Sequence, residues 1–306
     1  MTSPRFPGLR TIAVAALLVL LPAAAIACSD SKSSSSGGST KLSQVKVAGS
    51  FGEKPTFTFP QKFVGSTPEG VVVSKGTGPA VEAGQRIKVD YLAVSGDDGS
   101  ELESTYGVHT DSLTVSKTQL PDNLYNVLVG TPVGSRVLIS SDATASGGPW
   151  VLVAVDIVSA ATLPASASGR TVTAPGDVPA VTIENGVPKV ATPSGAPSTT
   201  LRVVPLIIGD GATVKAGDSV VMHYVGVIWG SGKTFDSSWG QDPFEFVAGN
   251  NEVIAGVDEG VIGQTVGSRV MLIIPPDKGY GAQGNTQAGI AGTDTLIFVV
   301  DILAAG

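Results

Sequence analysis

The chain has 306 residues, a formal charge of −7, only 15% charged residues, 39 glycines and 6% aromatics. That length suits about two domains, and sparse charge with many turn-formers suits a β-rich extracytoplasmic protein. The acidic balance, with no basic stripe to neutralise phosphates, excludes a nucleic-acid partner.

Residues 1–27 read as a signal peptide. Arg5 and Arg10 precede an apolar run, TIAVAALLVLLPAAAIA (11–27), that ends in small residues. The run is short for a bilayer and is interrupted by Pro22, which argues against a spanning helix. Cys28 follows and is the only cysteine. No intramolecular disulfide is available to it, and a lone thiol in a secreted chain calls for another role. Ala25-Ile26-Ala27-Cys28 resembles a bacterial lipobox, in which the cysteine is acylated and becomes the mature N-terminus. The Ser/Gly-rich stretch 28–44 reads as a flexible tether. The expected location is extracytoplasmic, lipid-anchored to the bacterial cell membrane through Cys28.

Beyond the tether the chain repeats itself. VEAGQRIKVDYLAVSGDDGSELES (81–104) aligns without a gap with VKAGDSVVMHYVGVIWGSGKTFDS (214–237), a shift of 133. VGTPVGSRV (129–137) meets IGQTVGSRV (262–270) at the same shift. The last strands, VAVDIV (153–158) and FVVDIL (298–303), align at 145, so the first copy lacks about 12 residues. Two domains follow, 45–160 and 172–306, with a linker at 161–171 inside an Ala/Ser/Pro/Gly/Thr-rich connector (160–200). A short strand-like segment after a proline precedes each copy, at 55–59 and 179–183. In the second copy, β-branched or aromatic runs at 201–208, 219–228, 243–248, 269–275 and 295–303 predict strands. One short helix is expected between about Ile254 and Gly263.

The second copy also carries spaced aromatics, Tyr224, Phe235, Phe244, Phe246 and Tyr280, with a single acid, Asp236, directly after Phe235. The only histidines, His109 and His223, lie in different copies. Neither a metal cluster nor a Ser-His-Asp arrangement is therefore expected, and no cofactor is called for. Rings, aliphatics and one carboxylate suit a reaction that needs shape and desolvation but no covalent chemistry. Rotation about an X–Pro bond is such a reaction.

Taken in order, HYVG (223–226), TFDSS (234–238), PFEF (243–246), EVIAG (252–256) and PPDKGYG (275–281) resemble the FKBP family of peptidyl-prolyl cis-trans isomerases. The resemblance implies an α+β fold: two FKBP-like domains, each a twisted antiparallel β-sheet wrapped around a short α-helix. It implies isomerisation of X–Pro bonds by non-covalent stabilisation of the twisted amide, in the second domain. It implies that Tyr224, Phe235, Phe244 and Phe298 line a pocket. Val253 and Ile254 would add an aliphatic wall, and the Ile254 N–H a hydrogen bond to a substrate carbonyl. Ile290 would sit on the loop before the last strand. Tyr280 would donate its hydroxyl to the substrate, and Asp236 would face the carbonyl of the rotating amide. The pocket floor, commonly Trp in the family, falls on Val257. The implied partners are Pro-containing polypeptides and macrolide ligands of the FKBP class. A membrane-tethered chaperone or Pro-peptide-binding protein without turnover is the alternative.

In the first copy the 133-residue register sets Tyr91 against Tyr224, Leu102 against Phe235, Glu103 against Asp236 and Pro121 against Ile254. Pro121 has no N–H to offer. Val153 stands in place of Phe298, and nothing corresponds to Tyr280 or Ile290. The first domain is accordingly expected to be a scaffold or client-binding surface without isomerase activity.

Overall fold

A computed structural model describes residues 39–59 and 62–306. The expected signal peptide, Cys28 and the first part of the expected tether lie outside the described residues. The chain divides into two compact units, one ending at Thr162 and the other beginning at Leu163.

The first unit contains β1 (Lys46–Ala48), β2 (Thr56–Thr58), β3 (Gly70–Ser74), β4 (Gln85–Ser95), β5 (Glu101–Ser104) and β6 (Asp111–Thr114). The helix α1 (Asp122–Leu128), β7 (Arg136–Asp142) and β8 (Trp150–Thr162) complete it. Its main sheet runs β3-β7-β8-β4-β5, with β6 also paired to β4. The second unit contains β9 (Arg170–Thr171), β10 (Val181–Glu184), β11 (Val187–Val190), β12 (Arg202–Ile208), β13 (Ser219–Ile228), β14 (Thr234–Ser237) and β15 (Phe244–Val247). The helix α2 (Ala255–Val261), β16 (Arg269–Ile274) and β17 (Leu296–Ala304) follow. Here the order is β14-β13-β17-β16-β12-β9, with β15 also on β13. Every pairing in both sheets is antiparallel.

Strand alternation explains how the second sheet buries both faces. Val220, Met222, Tyr224 and Ile228 of β13 join Leu296, Phe298, Val300 and Ile302 of β17 in one apolar cluster, with Val257 and Val261 of α2. Val225 and Val227, with Ile297 and Val299, face the other way into a second cluster. The helix approaches closely because its inward positions are glycines. A Cβ on Gly260 would lie 2.7 Å from Leu272, and one on Gly256 would meet Ile274.

The back face of the second sheet is covered by Val181, Val187 and Val190 of the β10–β11 hairpin, together with Ala174 and Val178. The first unit does the same with Leu42, Val45, Val47, Phe57, Phe59 and Phe63. Leu42, placed in the tether by the sequence, is thus a core residue, 1% exposed. Arg170 and Thr171, placed in the linker, are an edge strand of the second sheet. Both corrections have one cause: a sheet buried on two faces needs apolar cover on its back, and each unit takes it from its own leading segment.

Each unit also carries one buried ion pair at the same place in its sheet. Arg136 Nε meets Asp156 Oδ1, and Arg269 Nε meets Asp301 Oδ1, both at 2.6 Å. The leading segments bind to these pairs. Gly52 N–H donates to Asp156 Oδ2 (2.8 Å), and Ala167 N–H donates to Asp301 Oδ2 (2.7 Å).

Candidate active site

The cleft of the second unit lies between β14, the start of α2 and the loop after β16, and has a volume of about 670 Å3. Of the residues singled out by sequence, Phe235, Asp236, Val253, Ile254 and Tyr280 line it. Tyr224, Val257, Ile290 and Phe298 belong to the buried apolar cluster beneath, with Phe244 half-buried against it. The ten are therefore gathered into one rim and one floor. The rings interlock edge to face: Tyr224 with Phe244 at 5.8 Å, and Phe235 with Phe298 at 5.6 Å between centroids. Such contacts fix ring positions as well as burying area.

Backbone geometry makes room for Phe235. Gly226 of β13 packs under its ring, and a Cβ there would lie 2.6 Å from Phe235 Cζ. The β13–β14 register shifts between Gly226 and Val227, and a bulge of this kind re-aims side chains next to a site.

Asp236 is held from below. The Tyr224 hydroxyl donates to its Oδ2 at 2.7 Å, and its Oδ1 accepts the Ser237 N–H at 2.8 Å. Burial holds the Tyr224 phenol well above its ordinary range, reinforced by the Asp236 hydrogen bond and charge. Burial pushes Tyr280 up to about 12; a hydrogen bond with Asn285 pulls it down and the Asp236 charge raises it. Both hydroxyls stay protonated at neutral pH and remain donors.

Tyr224 is anchored on its other side as well. Its N–H donates to Ser238 Oγ (2.9 Å), which lies 3.0 Å from His223 Nδ1. The His223 ring stacks on Trp239 at 4.6 Å. Burial lowers the His223 pKa, and the Asp301 charge opposes that shift.

Ile254 caps the N-terminus of α2 and lines the cleft, and an N-cap N–H has no intrahelical partner. Its approach is set by two carboxylates that sequence reasoning did not single out. Asp258, 5% exposed, accepts N–H bonds from Gly249 (2.6 Å) and Asn251 (3.1 Å). Glu252 accepts from Val247 N–H (3.1 Å) and Asn250 Nδ2 (2.9 Å). The rim also includes Asn251, Glu252 and residues 283–288. Asn285 and Ile290 close that loop by exchanging two backbone bonds, of 2.8 and 2.9 Å. The Asn and Gln side chains of a loop carry no periodicity that would flag them. Asp258 was detectable only as an acid on the first turn of a helix.

The corresponding place in the first unit is polar. Tyr91, 1% exposed, sits where Tyr224 does, and burial followed by Glu103 raises its pKa. Asp111 replaces Phe244 in the 133-residue register and pairs with His109 Nε2 at 2.9 Å. Burial raises its carboxyl, His109 opposes this, and Glu103 adds to it. Leu102, in place of Phe235, is 46% exposed. Pro121 caps α1.

A family model described as FKBP-type peptidyl-prolyl cis-trans isomerase matches residues 211–303. An FK506-binding protein of Streptomyces anulatus is 43% identical over 109 residues, covering 35% of this chain and 88% of the relative. The peptidyl-prolyl cis-trans isomerase Fkbp12 of Drosophila melanogaster is 44% identical over 105 residues, covering 34% of this chain and 95% of the relative. The crystal structure of three FKBP domains of wheat FKBP73 covers 78% of this chain and 94% of that one, at 18% identity and a TM-score of 0.33.

Proposed function

This chain belongs to the family of FKBP-type peptidyl-prolyl cis-trans isomerases, and from that membership we propose that its second unit rotates X–Pro bonds of extracytoplasmic polypeptides. The enzyme class is peptidyl-prolyl cis-trans isomerase. The cleft over an apolar floor, with Asp236 braced by Tyr224 and Tyr280 at the rim, carries the reading.

An amide rotates against a barrier of about 18–20 kcal/mol because conjugation must be broken. Before proline, exchange takes on the order of tens to hundreds of seconds. The twisted amide is less conjugated and less polar at its carbonyl than the planar one. A site walled by Phe235, Val253 and the Phe298 ring favours it over the ground state, which is catalysis by differential binding. The Ile254 N–H and the Tyr280 hydroxyl hold flanking carbonyls. Asp236 faces the rotating carbonyl and keeps the rim polar. The first unit, with Glu103, Asp111 and Pro121 at the equivalent positions, contributes no isomerase site.

Cys28 bears the lipid anchor in this proposal, residues 1–27 are removed, and the chain works at the outer face of the bacterial cell membrane. Two or more acyl chains attach a protein stably where one gives only marginal binding.

The deciding experiment measures cis–trans exchange of short X–Pro peptides with the whole chain. Wild type accelerates exchange and is inhibited by a macrolide of the FKBP class, and Asp236→Ala or Phe235→Ala lowers the rate with the fold intact. Peptide binding without acceleration would favour a chaperone that holds Pro-containing segments.

A further inference from the structure

The two copies differ at one sheet edge. In the second unit, β12 is followed outward by β9, with Ile207 opposite Thr171 and Ile208 opposite Arg170. Val172 N–H donates to Leu206 O at 2.9 Å, and Ser168 N–H to Gly267 O at 2.9 Å. The segment lies so close that a Cβ on Gly169 would collide with the Ile208 carbonyl.

The 133-residue register places Leu206, Ile207 and Ile208 on Val73, Ser74 and Lys75. The equivalence is structural too. β12 shifts register on its inner neighbour between Pro205 and Ile207, and β3 shifts between Val72 and Ser74. Yet β3 ends the first sheet, and among the described residues no strand pairs with its outer edge. Val72 is 45% exposed and Val73 37%. Beside them a groove of about 560 Å3 runs between β3 and α1, with Val71, Val72, Val127 and Val129 as its apolar lining. Between Glu69 and Lys75 the strand carries three consecutive valines and no charge, an unprotected edge of the kind that soluble proteins usually blunt.

We propose that the β3 edge of the first unit binds an extended, unfolded polypeptide segment by strand addition. The second unit shows what fits such an edge: a short extended stretch, antiparallel, that pairs through Arg170 and Thr171 and puts Gly169 where the backbones come closest. A segment added to β3 in the same direction would pair first with Lys75 and Ser74. It would then run toward Gly70, carrying a side chain over the groove at Val129. Main-chain bonds supply the affinity and the groove supplies the preference. The occupant's identity rests on the isomerase reading, since an unfolded client is the chain that the second unit would meet.

The test is hydrogen–deuterium exchange of the whole chain with and without reduced, carboxamidomethylated α-lactalbumin. The outward-facing amides of β3, those not bonded to β7, exchange fast in the protein alone and slow about tenfold or more with the unfolded probe. The Val72→Lys/Val73→Lys variant loses that protection, because charge on an edge opposes strand addition, and keeps its rate on short X–Pro peptides. If the variant does not fold, the wild-type comparison decides alone. Unchanged exchange at saturating probe overturns the proposal. Slow exchange of those outward amides in the protein alone also overturns it: a second copy closes the edge if protection falls on dilution, and the chain's own N-terminal residues do if it does not. Absence of peptide isomerisation would show separately and leaves this measurement readable.

Discussion

Tyr224 and Asp236 sit diagonally across the β13–β14 pair, and the phenol of one donates to the carboxylate of the other at 2.7 Å. Neither is fully exposed, so each leaves the other unsatisfied when removed. Tyr224→Phe and Asp236→Ala should each destabilise the second unit by roughly 1–3 kcal/mol. The double variant should cost less than the sum, by about 1 kcal/mol, as expected for groups in contact. Urea unfolding and X–Pro exchange on all four proteins measure both quantities. Additive losses would mean that the bond does not brace the carboxylate.

Gly226 holds the floor open beneath Phe235. Gly226→Ala should push the ring toward the cleft, lower stability by about 1–3 kcal/mol as overpacking does, and reduce the isomerisation rate. Gly230→Ala, where a Cβ meets nothing within 4 Å, is the control. Wild-type turnover in Gly226→Ala would remove Phe235 from the working site.

Isomerisation should be insensitive to alkaline pH. Tyr280 is held near about 12, and Tyr224 higher still, by burial. The rate should therefore stay level up to about pH 10, where an ordinary phenol is half ionised. A decline centred there would identify an unshifted hydroxyl in the site.

His223 predicts the opposite limb. Its folded pKa lies below the unfolded value because burial disfavours the charged ring. The unfolded state then binds more protons, so stability is complete above about pH 6.5 and falls as pH drops toward the folded pKa. One group of this kind contributes at most about 1.4 kcal/mol per pH unit. Thermal unfolding at pH 7.5 and pH 5 should show a smaller acid loss in His223→Gln than in wild type. Equal losses would assign the acid sensitivity to other groups.

Cys28→Ser should release soluble protein or halt maturation, read by membrane fractionation. Mass spectrometry of the mature wild-type chain should find an acylated N-terminal cysteine. An unmodified thiol there would overturn the anchor.

Much of the second sheet was legible because its information is local. The β-branched and aromatic runs SVVMHYVGVI and TLIFVVDIL mark β13 and β17, and the fixed shift between VGSRV segments marks the repeat. The floor was named through the resemblance of the motifs, and Tyr224 and Phe298 do face the inner cluster of the second sheet.

What the sequence by itself determined, then, was the repeat and the strands around one short helix, with the rings of the floor named through the motifs' resemblance to a family. Tertiary structure alone decided the rest. The Tyr224–Asp236 bond joins diagonal positions of β13 and β14, and the pairing of those two strands leaves no periodic trace. The grip of Asp258 on Gly249 and Asn251, and the closure of the 285–290 loop, join groups whose partners are set by chain path rather than spacing. The connector proved to be the back cover and edge of a sheet, because apolar residues scattered among Ala, Ser and Pro reveal their role only when an exposed face lies opposite them. Periodicity records which way a side chain points, whereas a hydrogen bond or a covered face needs a second segment brought to it.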